Sequence, residues 1–98
     1  MLFALICNDK PGSLQLRMDT RPDHLVFLEG LNAEGTLALA GPFLDGEGKP
    51  NGSLVVIQAE DLQAAALVAG NDPYAKAGLF ASVEIRPWNW TFNKPETA

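Results

Sequence analysis

The chain has 98 residues, which is the size of one ordinary domain and leaves no room for separate catalytic and regulatory domains. Apolar residues make up 47% of the chain and charged residues 19%, a balance that excludes intrinsic disorder. Twelve acidic against seven basic side chains give a net charge of -5. This charge has the wrong sign for binding phosphates, so we expect no nucleic acid partner and no membrane partner.

The scarcity of cysteine and histidine limits the kinds of site that the chain can build. Cys7 is the only cysteine and His24 the only histidine, so an internal disulfide is excluded and a zinc site lacks its usual ligands. The N-terminus has no basic segment and no long apolar stretch, which argues against a signal peptide or a spanning helix. We therefore expect a cytoplasmic protein with no metal and no cofactor.

The first elements in chain order are a strand and a helix. Residues 2–7 form an unbroken apolar run before an Asn-Asp-Lys-Pro-Gly turn, which predicts a strand. Ser13 could cap a short helical turn. Residues 20–23 then predict the start of a longer helix, since proline is tolerated in a first turn, and Gly35 predicts its end. His24 lies at the centre of the apolar stripe of that helix.

The remaining elements are three strands and a second helix. Residues 37–40 and 52–58 predict strands joined by a hairpin loop rich in glycine and proline. Residues 61–69 predict a helix that stops at Gly70, and a turn follows at residues 71–74. Residues 79–86 alternate strictly, which predicts a last strand with Val83 and Ile85 on one face and Phe80 and Glu84 on the other.

This order of elements predicts an α+β, ferredoxin-like βαββαβ fold in a single domain over residues 1–98. The sheet has four antiparallel strands in the order 4-1-3-2, with both helices on one face. Strands one and three lack polar alternation, so both of their faces should be buried, yet two helices cover only one face. We therefore expect a homodimer whose sheets pack face to face.

The sequence contains no phosphate-binding loop, dinucleotide fingerprint, nucleophile elbow or metal-ligand spacing. Any site must therefore be assembled from distant residues. In the predicted topology one edge of the sheet brings together the end of strand one, the start of helix one, the hairpin and the end of helix two. That edge gathers Asp9, Arg17, Arg21, His24, Gly41, Pro42, Gly52, Ser53, Asp72, Pro73 and Tyr74.

His24 is the candidate acid/base at this edge, because only imidazole has an ordinary pKa near neutrality. Asp72 is its best-placed partner, since a carboxylate would fix the tautomer of the imidazole. The alternative is a core histidine bonded to the backbone and an aspartate that only begins the turn before Pro73.

Three further residues are candidates for substrate binding, each with a structural alternative. Arg17 precedes His24 by seven residues and would share its face if the helix continued through Pro22; it could bind an anion or be solvated. Ser53 could donate a hydrogen bond to a ligand or end a strand. Tyr74 could line a pocket or pack in the core. Cys7 lies in an apolar strand with no base nearby in sequence, which favours an inert thiol over a nucleophile.

Several segments together resemble the YciI-like, or YCII-related, family over nearly the whole chain. The segments are Asp9-Lys10-Pro11-Gly12-Ser13, Arg21-Pro22-Asp23-His24-Leu25, Leu39-Ala40-Gly41-Pro42, Gly52-Ser53-Leu54 and Asp72-Pro73-Tyr74-Ala75-Lys76-Ala77-Gly78-Leu79. The resemblance implies a dimeric α+β barrel with an active site around a His–Asp pair at His24 and Asp72. The family also looks related to a dehydrochlorinase of chlorinated hydroxyquinols and to small lactone-processing enzymes, although a shared fold does not transfer a reaction.

Two functions remain open at this point. In the first, the protein is an enzyme without metal or redox cofactor, in which His24 and Asp72 move a proton on a small cyclic or aromatic oxygenated compound. Arg17, Ser53 and Tyr74 would bind that compound, and the reaction would be an elimination, isomerisation or lyase step. In the second, the protein is a non-catalytic module that binds a small molecule in the same pocket or a partner through the dimer surface.

Overall fold

A computed structural model describes residues 1–96 of the chain. Its elements in chain order are β1 (Leu2–Asp9), α1 (Leu14–Ala33), β2 (Leu37–Leu44), β3 (Pro50–Gln58), α2 (Leu62–Gly70), α3 (Pro73–Lys76) and β4 (Phe80–Trp88). The four strands form one antiparallel sheet in the order β2-β3-β1-β4. This confirms the predicted ferredoxin-like α+β fold and its 4-1-3-2 strand order.

The core lies between one face of the sheet and the two long helices. Leu5 of β1 stands opposite Val55 of β3 and Ile85 of β4, so all three side chains project from the same face. Leu31 of α1 and Ala65 of α2 are buried against this face. Removing these apolar side chains from water is the main stabilising contribution to the fold.

Helix α1 is longer than the sequence predicts. The expected start at residues 20–23 is wrong: the helix begins at Leu14 and continues through Pro22 to Ala33. Pro22 lacks the N–H that would bond the carbonyl of Met18, but both residues are exposed, so water can satisfy that carbonyl. As a result Arg17 and His24, seven residues apart, lie on the same buried face of one helix.

The turn predicted at residues 71–74 is the start of a short helix, α3. The side chain of Asp72 accepts a hydrogen bond from the backbone N–H of Tyr74 at 2.9 Å, and Pro73 occupies the first turn. An aspartate cap satisfies an amide that has no partner inside the helix, and proline has no amide to satisfy there. This cap fixes Asp72 and Tyr74 relative to each other.

A β-bulge changes the predicted faces of β4. The register between β1 and β4 shifts between Asn8 and Asp9, which places Phe80 opposite Asp9. Phe80 therefore packs with the core, and its ring meets the ring of Tyr74 edge-on at 6.0 Å. The expectation that Phe80 shares a face with Glu84 is wrong, because the extra residue in the strand interrupts the alternation.

In the described part of the chain, residues 1–96, the other face of the sheet carries no helix. It presents Ala4 and Ile6 of β1 beside Leu54 and Val56 of β3, because these residues alternate with the core-facing ones. At one end of this face the segment after β4 lies close enough for Trp90 to line grooves with Leu2. Within residues 1–96, no helix has both the length and the apolar character required to cross a bilayer.

Candidate active site

A cavity of about 180 Å³ opens between helix α1 and strands β2 and β3. Its wall combines basic and imidazole groups with apolar surface and contains Arg17, Arg21, His24, Leu25, Leu28, Ala40, Gly41, Pro42, Ser53, Val55 and Tyr74. Helix α1 supplies its basic side chains at the i, i+4 and i+7 positions, which share one face. The cavity therefore lies at the sheet edge where the sequence gathers its candidate residues.

His24 and Asp72 form a hydrogen-bonded pair at this cavity. The Nδ1 atom of His24 lies 2.8 Å from Oδ1 of Asp72, and both side chains are buried. A carboxylate can only accept a hydrogen bond, so an ionised Asp72 places the proton of the imidazole on Nδ1. The Nε2 atom is then an acceptor on a side chain that lines the cavity.

Tyr74 packs between Arg17 and His24 of α1. Its ring stacks on the imidazole of His24 with centroids 4.0 Å apart, and the guanidinium of Arg17 lies 4.5 Å from the ring centroid. The face of the ring attracts the guanidinium cation of Arg17, and ring stacking positions the imidazole of His24, so Tyr74 orients both side chains. Burial raises the pKa of Tyr74, which favours the neutral phenol.

Arg17 is engaged by protein groups more completely than its sequence position indicates. Its Nε lies 2.6 Å from Oδ2 of Asp9, and its Nη2 donates to Oδ1 of Asp9 at 2.9 Å and to Oγ of Ser53 at 2.8 Å. Asp9 raises the pKa of Arg17 against an opposing effect of burial. The Nη1 group takes part in none of these three bonds. The structure thus brings Arg17 and Ser53 together at the cavity, and the two side chains are hydrogen-bonded to each other.

The sequence does not predict the pair between Asp9 and Arg17. The two residues are eight positions apart across a turn, and their bidentate contact depends on how the end of β1 meets the first turns of α1. Arg21 lies at the edge that the predicted topology gives it and lines the cavity, but it is not among the substrate-binding residues that we predict from the sequence. The spacing of four residues from Arg17 in a continuous helix is the signal that would have found it.

Cys7 lies behind the site and is not activated by it. Burial raises the pKa of the Cys7 thiol to about 12, and the negative charge of Asp72 adds to the increase. A thiol with a raised pKa is a poor nucleophile because the thiolate is the reactive form. Among residues 1–96 there is no group of three or more His, Cys, Asp or Glu side chains placed to hold a metal ion.

Comparison with known proteins gives close relatives over nearly the whole chain. Protein YciI of Escherichia coli O6:H1 is 38% identical over 98 residues, which cover 94% of this chain and 100% of that protein. An uncharacterized protein of Haemophilus influenzae matches with the same identity and the same coverage. Among solved structures, the 5-chloro-2-hydroxyhydroquinone dehydrochlorinase TftG of Burkholderia phenoliruptrix, in complex with 2,5-dihydroxybenzoquinone, is 34% identical.

The similarity to TftG extends to the whole fold. The superposition has a TM-score of 0.85 and covers 97% of this chain and 100% of the Burkholderia chain. The family model of the YCII-related domain matches residues 1–89, a range that includes every residue of the cavity wall. On this match and these relatives, the chain belongs to the YCII-related domain family.

Proposed function

We propose that the protein is a small-molecule enzyme that uses His24 to move a proton on a small cyclic or aromatic oxygenated compound. The reaction class is an elimination of the dehydrochlorinase or lyase type, or an isomerisation. The observation that carries the proposal is the single imidazole of the chain, held at Nδ1 by Asp72 while the same side chain lines a cavity. A base that is oriented by a second group and faces a pocket is the usual arrangement for acid/base catalysis.

The cavity limits the size of the substrate. Its volume of about 180 Å³ is smaller than the roughly 300–1,000 Å³ of pockets that take drug-sized ligands, so a compound of one ring is favoured. The wall offers apolar contact from Leu25, Leu28 and Val55 and polar contact from Ser53. This mixture suits a ring that carries oxygen substituents.

The relative with the best-defined chemistry points in the same direction. TftG is named as a dehydrochlorinase of a chlorinated hydroxyquinol and was solved with an oxygenated six-membered ring. At 34% identity over nearly the whole of both chains, it supports a ring-bound elimination as the first reaction to test. A shared fold does not by itself identify the substrate, so the substrate of this chain has to be determined by experiment.

The proposed step can be written at the level of atoms. Nε2 of His24 first removes a proton from a ring hydroxyl and returns it to the ring carbon that bears the chloride, so the O–H electron pair becomes a C=O bond and this carbon becomes tetrahedral. Nε2 then removes the proton of a second hydroxyl, whose electron pair forms a second C=O bond through the ring while chloride departs with the C–Cl pair. The net loss is one proton and one chloride, and the product is a quinone. Asp72 stabilises the imidazolium that forms, because its carboxylate accepts a hydrogen bond from the Nδ1–H group of His24.

The test is chloride release from 5-chloro-2-hydroxyhydroquinone by wild type and by His24→Ala. Removal of a positioned acid/base group is expected to slow the reaction by about 10²- to 10⁴-fold. A thermal unfolding curve for each protein shows whether the variant is folded. Equal rates would reject His24 as the base. A ring compound that binds both proteins equally well, without turnover in either, would instead support the binding module.

We also propose that the functional unit is a homodimer formed through the face of the sheet that carries no helix. That face presents apolar side chains from both central strands, including Ile6 and Leu54, and no helix of residues 1–96 covers it. An apolar sheet face in contact with water is unfavourable, and a second copy offers a matching surface.

A further inference from the structure

The wall of the cavity contains two arginines in different surroundings. Arg17 is buried, and its charge is compensated by the bidentate contact with Asp9. Arg21 is exposed at the cavity, one helical turn further along α1. Among residues 1–96, no carboxylate forms an ion pair with Arg21. Of the two guanidinium groups, that of Arg21 is therefore the one available to form an ion pair with a ligand.

The carboxylates near the site do not face the cavity. The wall contains no aspartate or glutamate, although the whole chain carries a net charge of -5. Asp9 and Asp72 stand behind the wall, where they bond Arg17 and His24. A ligand that enters the cavity thus meets cationic and neutral groups only. Because Asp9 offsets the charge of Arg17, the guanidinium of Arg21 is the cation of the wall that has no carboxylate partner within residues 1–96, and it favours an anionic ligand over a neutral or cationic one.

We propose that Arg21 binds an anionic oxygen of the substrate, either a carboxylate or an ionised ring hydroxyl, and so selects anionic ring compounds. The inference rests on the proposed function, because it concerns the substrate of the same cavity. Arg21 and His24 are three residues apart in α1 and so lie on one side of the helix. A ring held through its anionic oxygen by Arg21 therefore lies within the same cavity as the base. Arginine suits this task because its planar fork of N–H donors matches two oxygens.

Arg17 is the arginine that the sequence offers as a candidate for anion binding, with a solvated side chain as the alternative. In the structure its Nε and Nη2 donors are used by Asp9 and Ser53. Replacement of Arg17 would leave a buried carboxylate without a partner, so the loss of Arg17 reports on folding as well as on binding. Arg21 is exposed and can be replaced without disturbing a buried pair, which makes it the cleaner test of charge selection.

The experiment is a calorimetric titration with two ring compounds that differ in charge. The first is 2,5-dihydroxybenzoquinone, whose hydroxyl groups are vinylogous carboxylic acids and are ionised at neutral pH. The second is 1,4-hydroquinone, a neutral ring of similar size, titrated without oxygen. The proteins are wild type, Arg21→Gln, Arg21→Lys and the control Lys49→Gln. Lys49 is an exposed cation of the β2–β3 hairpin outside the cavity wall, so its loss makes the same change in net charge.

We expect Arg21→Gln to weaken the binding of 2,5-dihydroxybenzoquinone by about tenfold, because a hydrogen bond between charged groups is lost. Arg21→Lys should recover part of the affinity, and rising ionic strength should reduce the difference between wild type and Arg21→Gln. Lys49→Gln and the affinity for 1,4-hydroquinone should stay within about twofold of wild type. Equal loss for both compounds, or no loss for either, would overturn the proposal, as would the absence of binding of the anionic compound to wild type.

The titration separates this inference from the proposed reaction. If Arg21→Gln binds both compounds like wild type while His24→Ala loses turnover, the role of Arg21 is wrong and the reaction stands. If charge selection is lost in Arg21→Gln while His24→Ala turns over like wild type, the anion site stands and the role of His24 as the base is wrong.

Discussion

A single carboxylate oxygen joins His24 to a helix that lies far from it in sequence. Oδ1 of Asp72 is 2.8 Å from Nδ1 of His24 and also accepts the backbone N–H of Tyr74 at 2.9 Å. The cap of α3 thus holds the carboxylate, the carboxylate holds the imidazole, and the ring of Tyr74 stacks on that imidazole. The imidazole of His24 is oriented from two sides by one short segment of chain.

Asp72→Asn should separate the chemical role of this carboxylate from its role in capping. Asparagine keeps an oxygen that can accept the hydrogen bond from the backbone N–H of Tyr74, so the cap of α3 remains and we expect a small loss of stability, about 1 kcal/mol or less. The negative charge that stabilises the imidazolium is lost, so kcat should fall by about 10²-fold or more. Steady-state kinetics and thermal unfolding of the same sample check both parts. An unchanged kcat would show that Asp72 serves only the fold.

The pair between Arg17 and Asp9 should contribute to stability in a different way. Their side chains are only 4% and 5% exposed, so Arg17→Met leaves a buried carboxylate without its partner. We expect a loss of about 3–5 kcal/mol in the free energy of unfolding, measured by urea titration. The double variant Asp9→Asn with Arg17→Met should lose less than the sum of the two single changes, because it leaves no unpaired charge.

The control for this pair is Lys49→Gln, which removes an exposed contact with Glu47. Solvent screens such a pair, so its loss should leave the unfolding curve nearly unchanged. Strictly additive losses in the Arg17 and Asp9 cycle would mean that the two residues act on stability independently.

The strand order can be predicted from the sequence, whereas the helix through Pro22 and the position of Phe80 cannot. The order of the sheet follows from continuous apolar runs in the central strands and polar turns between the elements, and both are local properties. The continuation of α1 through Pro22 is decided by tertiary packing, which outweighs the local penalty of one proline. The position of Phe80 depends on a bulge, and one extra residue reverses every face assignment beyond it.

The candidate site also contains one contact that can be predicted from the sequence and one that cannot. His24 and Asp72 are 48 positions apart, and topology brings their elements to one edge of the sheet, so their meeting can be predicted from the order of elements. The contact between Arg17 and Asp9 depends on the angle at which β1 leads into α1, which no periodicity encodes. The sequence therefore brings His24 and Asp72 to one edge of the sheet, but it does not predict the contact between Arg17 and Asp9.

Cys7 should be protected from alkylation in the folded protein. Burial, with the charge of Asp72, raises the pKa of its thiol from 9.0 to about 12, so very little thiolate exists near neutral pH. Iodoacetamide should modify the native protein at least about 100-fold more slowly than the chain unfolded in urea, followed by mass spectrometry. Rapid modification of the native chain would mean that the thiol is accessible and ionised.

The same pKa difference affects stability at high pH. The unfolded thiol loses its proton near pH 9 and the folded thiol near pH 12, so the contribution of Cys7 to stability is complete below pH 9 and is lost between these values. The free energy of unfolding of wild type should therefore fall more steeply above pH 9 than that of Cys7→Ala. If the free energy of unfolding falls with pH equally in wild type and Cys7→Ala, the raised pKa of the Cys7 thiol is not the cause of the loss.

The face of the sheet without a helix should determine the oligomeric state. Leu54 lies on this face opposite Ile6, whereas Leu67 lies on the outer side of α2 and is 68% exposed. Light scattering after gel filtration should give wild type about twice the chain mass of 10.5 kDa. Leu54→Glu should give the mass of one chain, since a dimer would bury two carboxylates in an apolar contact, while the matched change Leu67→Glu should stay dimeric. A monomeric wild type at micromolar concentration, or a dimeric Leu54→Glu, would show that the apolar face is not where the two copies meet.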